Sequence, residues 1–370
     1  MNRNALFPST AAVLALAALG CSEPPSAPER AGPPSALLSS AADFVVLGPT
    51  DLGTFGWQHG FGFDINDRGE IAGRTDMGDP NFPDSTHAIF WSAGTGPVDL
   101  GTLGGTRSDA RALNNHGVLV GMAQKPGDTS FQGHPTVWKV GSHGQLVETI
   151  ELGPFAHGSA AAVNDHGVVA GFFAASPTGP PTAFTWSEKD GLSPIPPLGG
   201  ARSLAGGIND FGDVVGASTV APGSPLHAVV WWRDGAVTDV GTLGGNTQGV
   251  AINRRGEVAG FGSPCPTCQP EAFYWSAETG IVVLGTFGGF RSFAFGIDDD
   301  GRVAGWYQTA DQVRHAFVWT LEGGKVELPS LGGPSTVTGA INDRGLLSGR
   351  SEDAGGTWRA VIWELEKDNS

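Results

Sequence analysis

Seven side chains occupy one equivalent place in a repeating sequence yet differ chemically: His59, Arg107, His157, Arg202, Asn246, Arg291 and Ser335, each six residues before a recurring Ile, Leu or Val that is followed by Asn or Asp. Five of the seven are basic or can become so by protonation. Gathered in a ring, they would hold an anion such as a carboxylate or a sulfate, because a guanidinium presents a planar fork of donors that matches two anion oxygens. Each Arg could instead pair with a local Asp or with loop carbonyls, and the sequence leaves both readings open.

Other candidate chemistry is thinner. Cys265-Pro-Thr-Cys268 could close as a small disulfide, exchange thiols, or supply half of a zinc site. No second CxxC or His pair stands nearby, so a local disulfide that pins its loop is expected. Asp298-Asp299-Asp300-Gly301 and Asp64-Ile65-Asn66-Asp67 invite a calcium reading, but they lack the alternating oxygen ligands and downstream Glu of such loops, and turn chemistry accounts for them. His87, His134, His227 and His315 recur at a position that also accepts Thr182, Glu271 and Arg359, which suits strand-start capping or packing better than ligation. No metal and no cofactor is expected. Trp57, Trp306, Tyr307 and Trp358 are extra aromatics that could stack on sugar rings or pack in the core. A carbohydrate-active enzyme needs paired carboxylates or a base beside a cation; Asp64 and Asp109 stand isolated.

The elements that carry these residues are seven copies of one unit. Ile/Leu/Val-Asn/Asp-x-x-Gly recurs at Ile65, Leu113, Val163, Ile208, Ile252, Ile297 and Ile341, a second glycine closes the strand that follows (Gly73, Gly121, Gly171, Gly216, Gly260, Gly305, Gly349), and a tryptophan ends a third segment (Trp91, Trp138, Trp186, Trp231, Trp275, Trp319, Trp363). The period of 44 to 50 residues lies in the range of propellers and solenoids. Each unit holds four strand-like runs with a tight hairpin at Asn-x-x-Gly, and four short strands make one propeller blade. The first run is rich in small residues, such as Ala110 and Ala112, as an innermost strand must be where blades converge. The last unit stops just after its third strand, while Phe44-Val45-Val46-Leu47 precedes the first, so the amino-terminal run is expected to complete blade seven. The fold predicted is an all-β, seven-bladed propeller over residues 43–370. The channel mouth where the connections enter the innermost strands, shared with the long loops between second and third strands, is the expected binding face.

These units, as in Asp99-Leu100-Gly101-Thr102-Leu103-Gly104-Gly105 followed by Ile-Asn-Asp-x-Gly and His315-Ala316-Phe317-Val318-Trp319, resemble the bacterial extracellular HAF-repeat family from about Asp51 to Trp363. His gives way to Thr182, Glu271 and Arg359, and the Leu-Gly-rich element decays to Leu152-Gly153-Pro154-Phe155 in the third copy. The resemblance implies an extracytoplasmic setting and a propeller-like fold; it carries no settled activity.

The amino terminus reads as processing signal: a single charge at Arg3, an apolar run from Ala11 to Gly20, and Ala18-Leu19-Gly20-Cys21, which resembles a lipobox with two positions exchanged. Residues 1–20 are expected to be a signal peptide, with lipid on Cys21; cleavage without lipidation is the alternative. Residues 21–42 carry Pro24, Pro25, Pro28, Pro33 and Pro34 and read as a semi-extended tether. Removing residues 1–20 leaves 20 basic against 37 acidic side chains, which disfavours nucleic acid and anionic membrane as partners. The sequence thus points to a monomeric lipoprotein of the outer membrane or cell surface, or a secreted or periplasmic protein. It would touch membrane only through its anchor and bind an unidentified protein or glycan, with an anionic one favoured by the cations. A glycoside hydrolase or polysaccharide lyase is the enzymatic alternative, and a purely structural envelope protein is the third.

Overall fold

The computed structural model describes residues 44–78, 84–128 and 133–367; the signal segment, the tether and Cys21 lie outside the described residues. Twenty-eight strands, β1–β28 in chain order, form seven antiparallel four-stranded sheets, and no helix occurs among the described residues. The sheets are the blades of a seven-bladed propeller. Blade 1 is β2 (His59–Ile65), β3 (Ile71–Asp76), β4 (Thr86–Ser92) and β5 (Gly96–Asp99), and the next five repeat that order outward from β6 (Ser108–Leu113), β10 (His157–Val163), β14 (Ser203–Ile208), β18 (Thr247–Ile252) and β22 (Arg291–Ile297).

Blade 7 differs. It runs β26 (Gly332–Ile341), β27 (Leu346–Asp353), β28 (Trp358–Lys367) and then β1 (Phe44–Gly53), so the start of the described chain supplies the outermost strand of the last blade. The register runs from Phe44 opposite Lys367 to Gly53 opposite Ala360. The Arg359 guanidinium reaches the Asp51 carboxylate at 2.8 Å across this seam. Phe44 is buried with Leu347, Val361 and Trp363, so the closing strand is packed as well as paired.

The core lies between blades. Trp138 and Trp363 are fully buried, Trp231, Trp275 and Trp319 nearly so, and Trp91 and Trp186 pack at cluster edges. A hydroxyl at the start of several innermost strands accepts an N–H from the third strand of the preceding blade: Ser108 from Ala88 (2.8 Å), Ser203 from Ala183 (2.9 Å), Ser292 from Ala272 (2.8 Å) and Thr336 from Ala316 (2.8 Å).

The Asn-x-x-Gly hairpins do two jobs. The glycine takes positive φ, 73° at Gly69 and 78° at Gly117, a backbone state that costs glycine nothing. Asn114 Oδ1 accepts the N–H groups of His116 (2.9 Å) and Val118 (3.0 Å), while its Nδ2 donates to the Asn164 carbonyl of the next blade at 3.0 Å. The same bond links Asn66 to Asn114, Asn164 to Asn209, Asn209 to Asn253, Asn253 to Asp298, and Asn342 back to Asn66. The exception is Asp298, whose carboxylate accepts from Arg302 Nε at 2.6 Å instead.

Candidate binding face at the channel mouth

Each innermost strand carries a β-bulge at the same place, and that bulge shapes the channel. Pairing with the second strand slips between Gly62 and Asp64, Ala110 and Ala112, Ala160 and Ala162, Ala205 and Gly207, Gly249 and Ala251, Ala294 and Gly296, and Thr338 and Ala340. The residue left over in each case (Phe63, Arg111, Ala161, Gly206, Val250, Phe295, Gly339) lines a cavity of about 700 Å³. The bulge also brings an innermost-strand carbonyl close to the second strand. A Cβ on Gly121 would lie 1.9 Å from the Asp109 carbonyl oxygen, on Gly216 1.9 Å from that of Leu204, and on Gly349 2.3 Å from that of Val337. This is why every second strand carries that glycine, which lies inside the strand rather than closing it as the sequence suggested.

The residue after that glycine looks into the channel. Arg74, Phe172, Phe261, Trp306 and Arg350 line the cavity from five blades; Met122 and Ala217 are their counterparts in blades 2 and 4. The walls thus combine aromatic rings with the guanidiniums of Arg74, Arg111 and Arg350.

These cations belong to an arc over blades 6, 7, 1 and 2. Arg350 has Phe61 and Trp358 beneath its guanidinium, each centroid at 4.5 Å. Arg314 lies 5.4 Å from the Trp306 ring and Arg291 5.9 Å from the same ring, with Arg291 Nε donating to Gln308 Oε1 at 2.7 Å. Arg74 is the arc member with a carboxylate close by, Asp109 at 3.3 Å and Asp76 at 4.0 Å. Burial, then the charges of Arg314 and Arg74, push the Arg350 pKa down to about 9; burial and the Arg291 charge lower Arg314. Asp64 faces the same channel. Its oxygens accept the Ile65 and Leu113 N–H groups, both at 2.9 Å, and burial lifts its carboxyl to about 6 in spite of them.

The seven residues singled out from the repeat all stand where the chain enters the innermost strands, at the end shared with the second-to-third-strand loops, as the pairs His59–Asp76 and Asp76–Thr86 show. They do not form the cavity wall; that is built one and two turns of the pleat deeper. Arg202 and Asn246 are exposed, and Asn246 Oδ1 accepts the Leu226 N–H at 2.9 Å. Ser335 is buried, its Oγ taking the Arg314 N–H at 3.4 Å. Burial and the neighbouring His134 lower the His157 imidazole. His59 packs 6.5 Å from Phe61. Arg107 lies beside Asp109 and Arg74, and Arg291 joins the arc. The positions missed are the bulge residue and the residue after the second-strand glycine. Their signal is visible: within a rigid repeat, the first place reads Phe, Arg, Ala, Gly, Val, Phe, Gly and the second Arg, Met, Phe, Ala, Phe, Trp, Arg.

The opposite end is acidic. Asp67, Asp165, Asp210, Asp299 and Asp343 stand one residue past the hairpin Asn or Asp, with Asn115 and Arg254 in the other two blades, around a smaller cavity of about 220 Å³. Several cap a neighbouring blade: Asp165 Oδ1 accepts the Asn115 N–H at 2.8 Å and Asp210 Oδ1 that of Asp165 at 3.0 Å. Arg254 crosses this mouth to Asp210 (2.6 Å), Asp299 (3.1 Å) and Asp343 (3.5 Å).

The repeated histidines meet acids on fourth strands, His87 with Asp99 at 2.8 Å and His227 with Asp239 at 2.9 Å, and more loosely His315 with Glu327 at 3.7 Å and His134 with Glu151 at 3.5 Å. Cys265 and Cys268 are joined as a disulfide in the long loop of blade 5, Cα atoms 5.0 Å apart.

Fold and site together define a class: a closed seven-bladed β-propeller with a ligand-sized, aromatic and cationic cavity in its channel. No family model matches the chain. No curated protein matches it either. Solved propeller structures do. Virginiamycin B lyase from Staphylococcus aureus aligns with a TM-score of 0.53 at 9% identity, over 86% of this chain and 99% of that one. Pyrococcus horikoshii acylaminoacyl peptidase gives 0.53 at 12%, over 86% and 54%. TolB from Acinetobacter baumannii gives 0.48 at 14%, over 73% and 66%. The chain therefore spans about half of the peptidase and 66% of TolB. At such identities the likeness is one of fold, and propellers host many functions.

Proposed function

We propose that this protein is an extracytoplasmic binding module, tethered at the bacterial surface, that holds a glycan or a segment of a partner protein in the mouth of its channel. One observation carries the reading: two of the positions that line the cavity, the bulge residue and the residue after the second-strand glycine, vary from blade to blade, while the positions that build the blades repeat. A wall required only for folding has no reason to differ so much between blades of one design. The lipobox-like Cys21, the Pro-rich segment after it and the HAF-like repeats support the surface location.

The enzymatic alternative finds less in the channel. Asp64 gives both oxygens to main-chain N–H groups, and Asp109 lies against Arg74, so neither is a free carboxylate facing the other. The test is a glycan array together with an activity screen on acidic polysaccharides, repeated on Ala161→Trp and Val250→Trp, which place an indole in the channel. Saturable binding that falls at least tenfold in both variants is expected. Hits that survive both variants, or turnover of any substrate, would overturn the proposal.

A further inference from the structure

We infer that the ligand is a short acidic oligosaccharide with two or more carboxylates, bound off the propeller axis against the cationic arc of blades 6, 7, 1 and 2. The inference deepens the binding reading above and rests on it.

The arc is built against the trend of the molecule. A chain of formal net charge −16 gathers Arg291, Arg314, Arg350, Arg74 and Arg111 around one part of one mouth. Like charges brought together in partial burial cost stability unless something offsets them. Carboxylates form ion pairs with Arg74, and Asp76 also offsets the Arg350 charge from beyond ion-pair distance. Among the described residues Arg291, Arg314, Arg350 and Arg111 meet no acid within ion-pair distance. Arg314 Nε is buried without a hydrogen-bond acceptor.

Arg350, Arg314 and Arg291 stack on aromatic rings, Phe61 and Trp358 for Arg350 and Trp306 for the other two, with Gln308 Oε1 also accepting from Arg291 Nε. A guanidinium stacked on a ring spends its face and keeps its in-plane N–H edges, which are the edges that grip a carboxylate with two parallel hydrogen bonds. The arrangement is a set of preorganised forks with fewer acids than cations beside them, and their spread over several blades calls for more than one anionic group.

The remaining wall selects the kind of anion carrier. Phe172, Phe261 and Phe295 offer flat apolar area next to the polar Gln248 in the same cavity. A sugar ring presents apolar C–H faces and a hydroxyl rim, and fits such a wall. A long polyanion does not suit a surface that is acidic beyond the mouth, which favours a short chain or a chain end.

Calorimetric titration of the full-length protein with trigalacturonate, its fully methyl-esterified form and tetraglutamate tests the inference. Trigalacturonate should bind, weaken as NaCl is raised, and bind at least tenfold more tightly than its ester, which has the same rings without the charge. Arg111→Gln, on an exposed side chain, and Arg350→Met should each cost at least tenfold in trigalacturonate affinity with the melting temperature retained. Absence of trigalacturonate binding, an ester that binds equally well, or affinity unmoved by both Arg variants would overturn the anionic assignment; tight binding of tetraglutamate would overturn the sugar assignment. A neutral glycan that binds and is lost in Ala161→Trp would leave the binding-module reading standing while this one falls.

Discussion

Asp64 is a carboxyl in a place where the other six blades carry Ala112, Ala162, Gly207, Ala251, Gly296 and Ala340. Burial raises its pKa to about 6, above the ordinary value of 3.8. Because the folded state holds the proton more tightly than the unfolded chain does, stability is greatest below about pH 4 as far as this group is concerned and declines as pH rises through about 6. Asp64→Asn does not titrate. Denaturant unfolding of the two proteins should therefore give a stability difference that shifts against the wild type by roughly 2 to 3 kcal/mol between pH 4 and pH 7. A difference that is flat with pH would show that the carboxyl is solvated. The other six members of its row are Ala or Gly, so nothing in the pattern announced this residue as more than an isolated acid.

At the scale of the hairpin, two kinds of glycine do different work. Gly167 sits at φ 74° with open space where a Cβ would go, so Gly167→Ala should cost about 1 kcal/mol for the left-handed backbone alone. Gly121 needs no unusual φ, but its Cβ would meet the Asp109 carbonyl at 1.9 Å, and Gly121→Ala should cost roughly 3 kcal/mol or more, or prevent folding. Equal costs in thermal or chemical unfolding would refute the distinction. The blades, the hairpin turn, the small innermost strands and the closing role of Phe44 to Leu47 were all legible in the sequence, because period, turn chemistry and residue size are local properties. The cavity wall was not. Reading six residues back from Ile65 or Ile297 finds His59 and Arg291 at the right end of the channel, but the bulge moves Phe63 and Phe295 out of simple alternation, and no count along a strand predicts which side chain a bulge turns inward.

At the scale of the whole ring, closure depends on one strand from the far end of the chain. Without residues 1–53, β28 would present a bare edge and blade 7 would lose Phe44 from its core. Such a truncation should lower the melting temperature by roughly 10 °C or more and promote association; an unchanged melting curve by circular dichroism would contradict the role given to β1. The other fastening is the circle of Asn side chains, which all donate in the same sense from one blade to the next. Asp298 has no carboxamide N–H and its carboxyl accepts from Arg302, so the link is missing from Asp298 to Asn342, between blades 6 and 7. Those blades carry Arg314 and Arg350. The Asn circle is thus broken at a single joint, where the Asp299 N–H donates to Asp343 Oδ1 at 2.8 Å, so blades 6 and 7 are fastened at that end through a carboxylate side chain rather than a carboxamide.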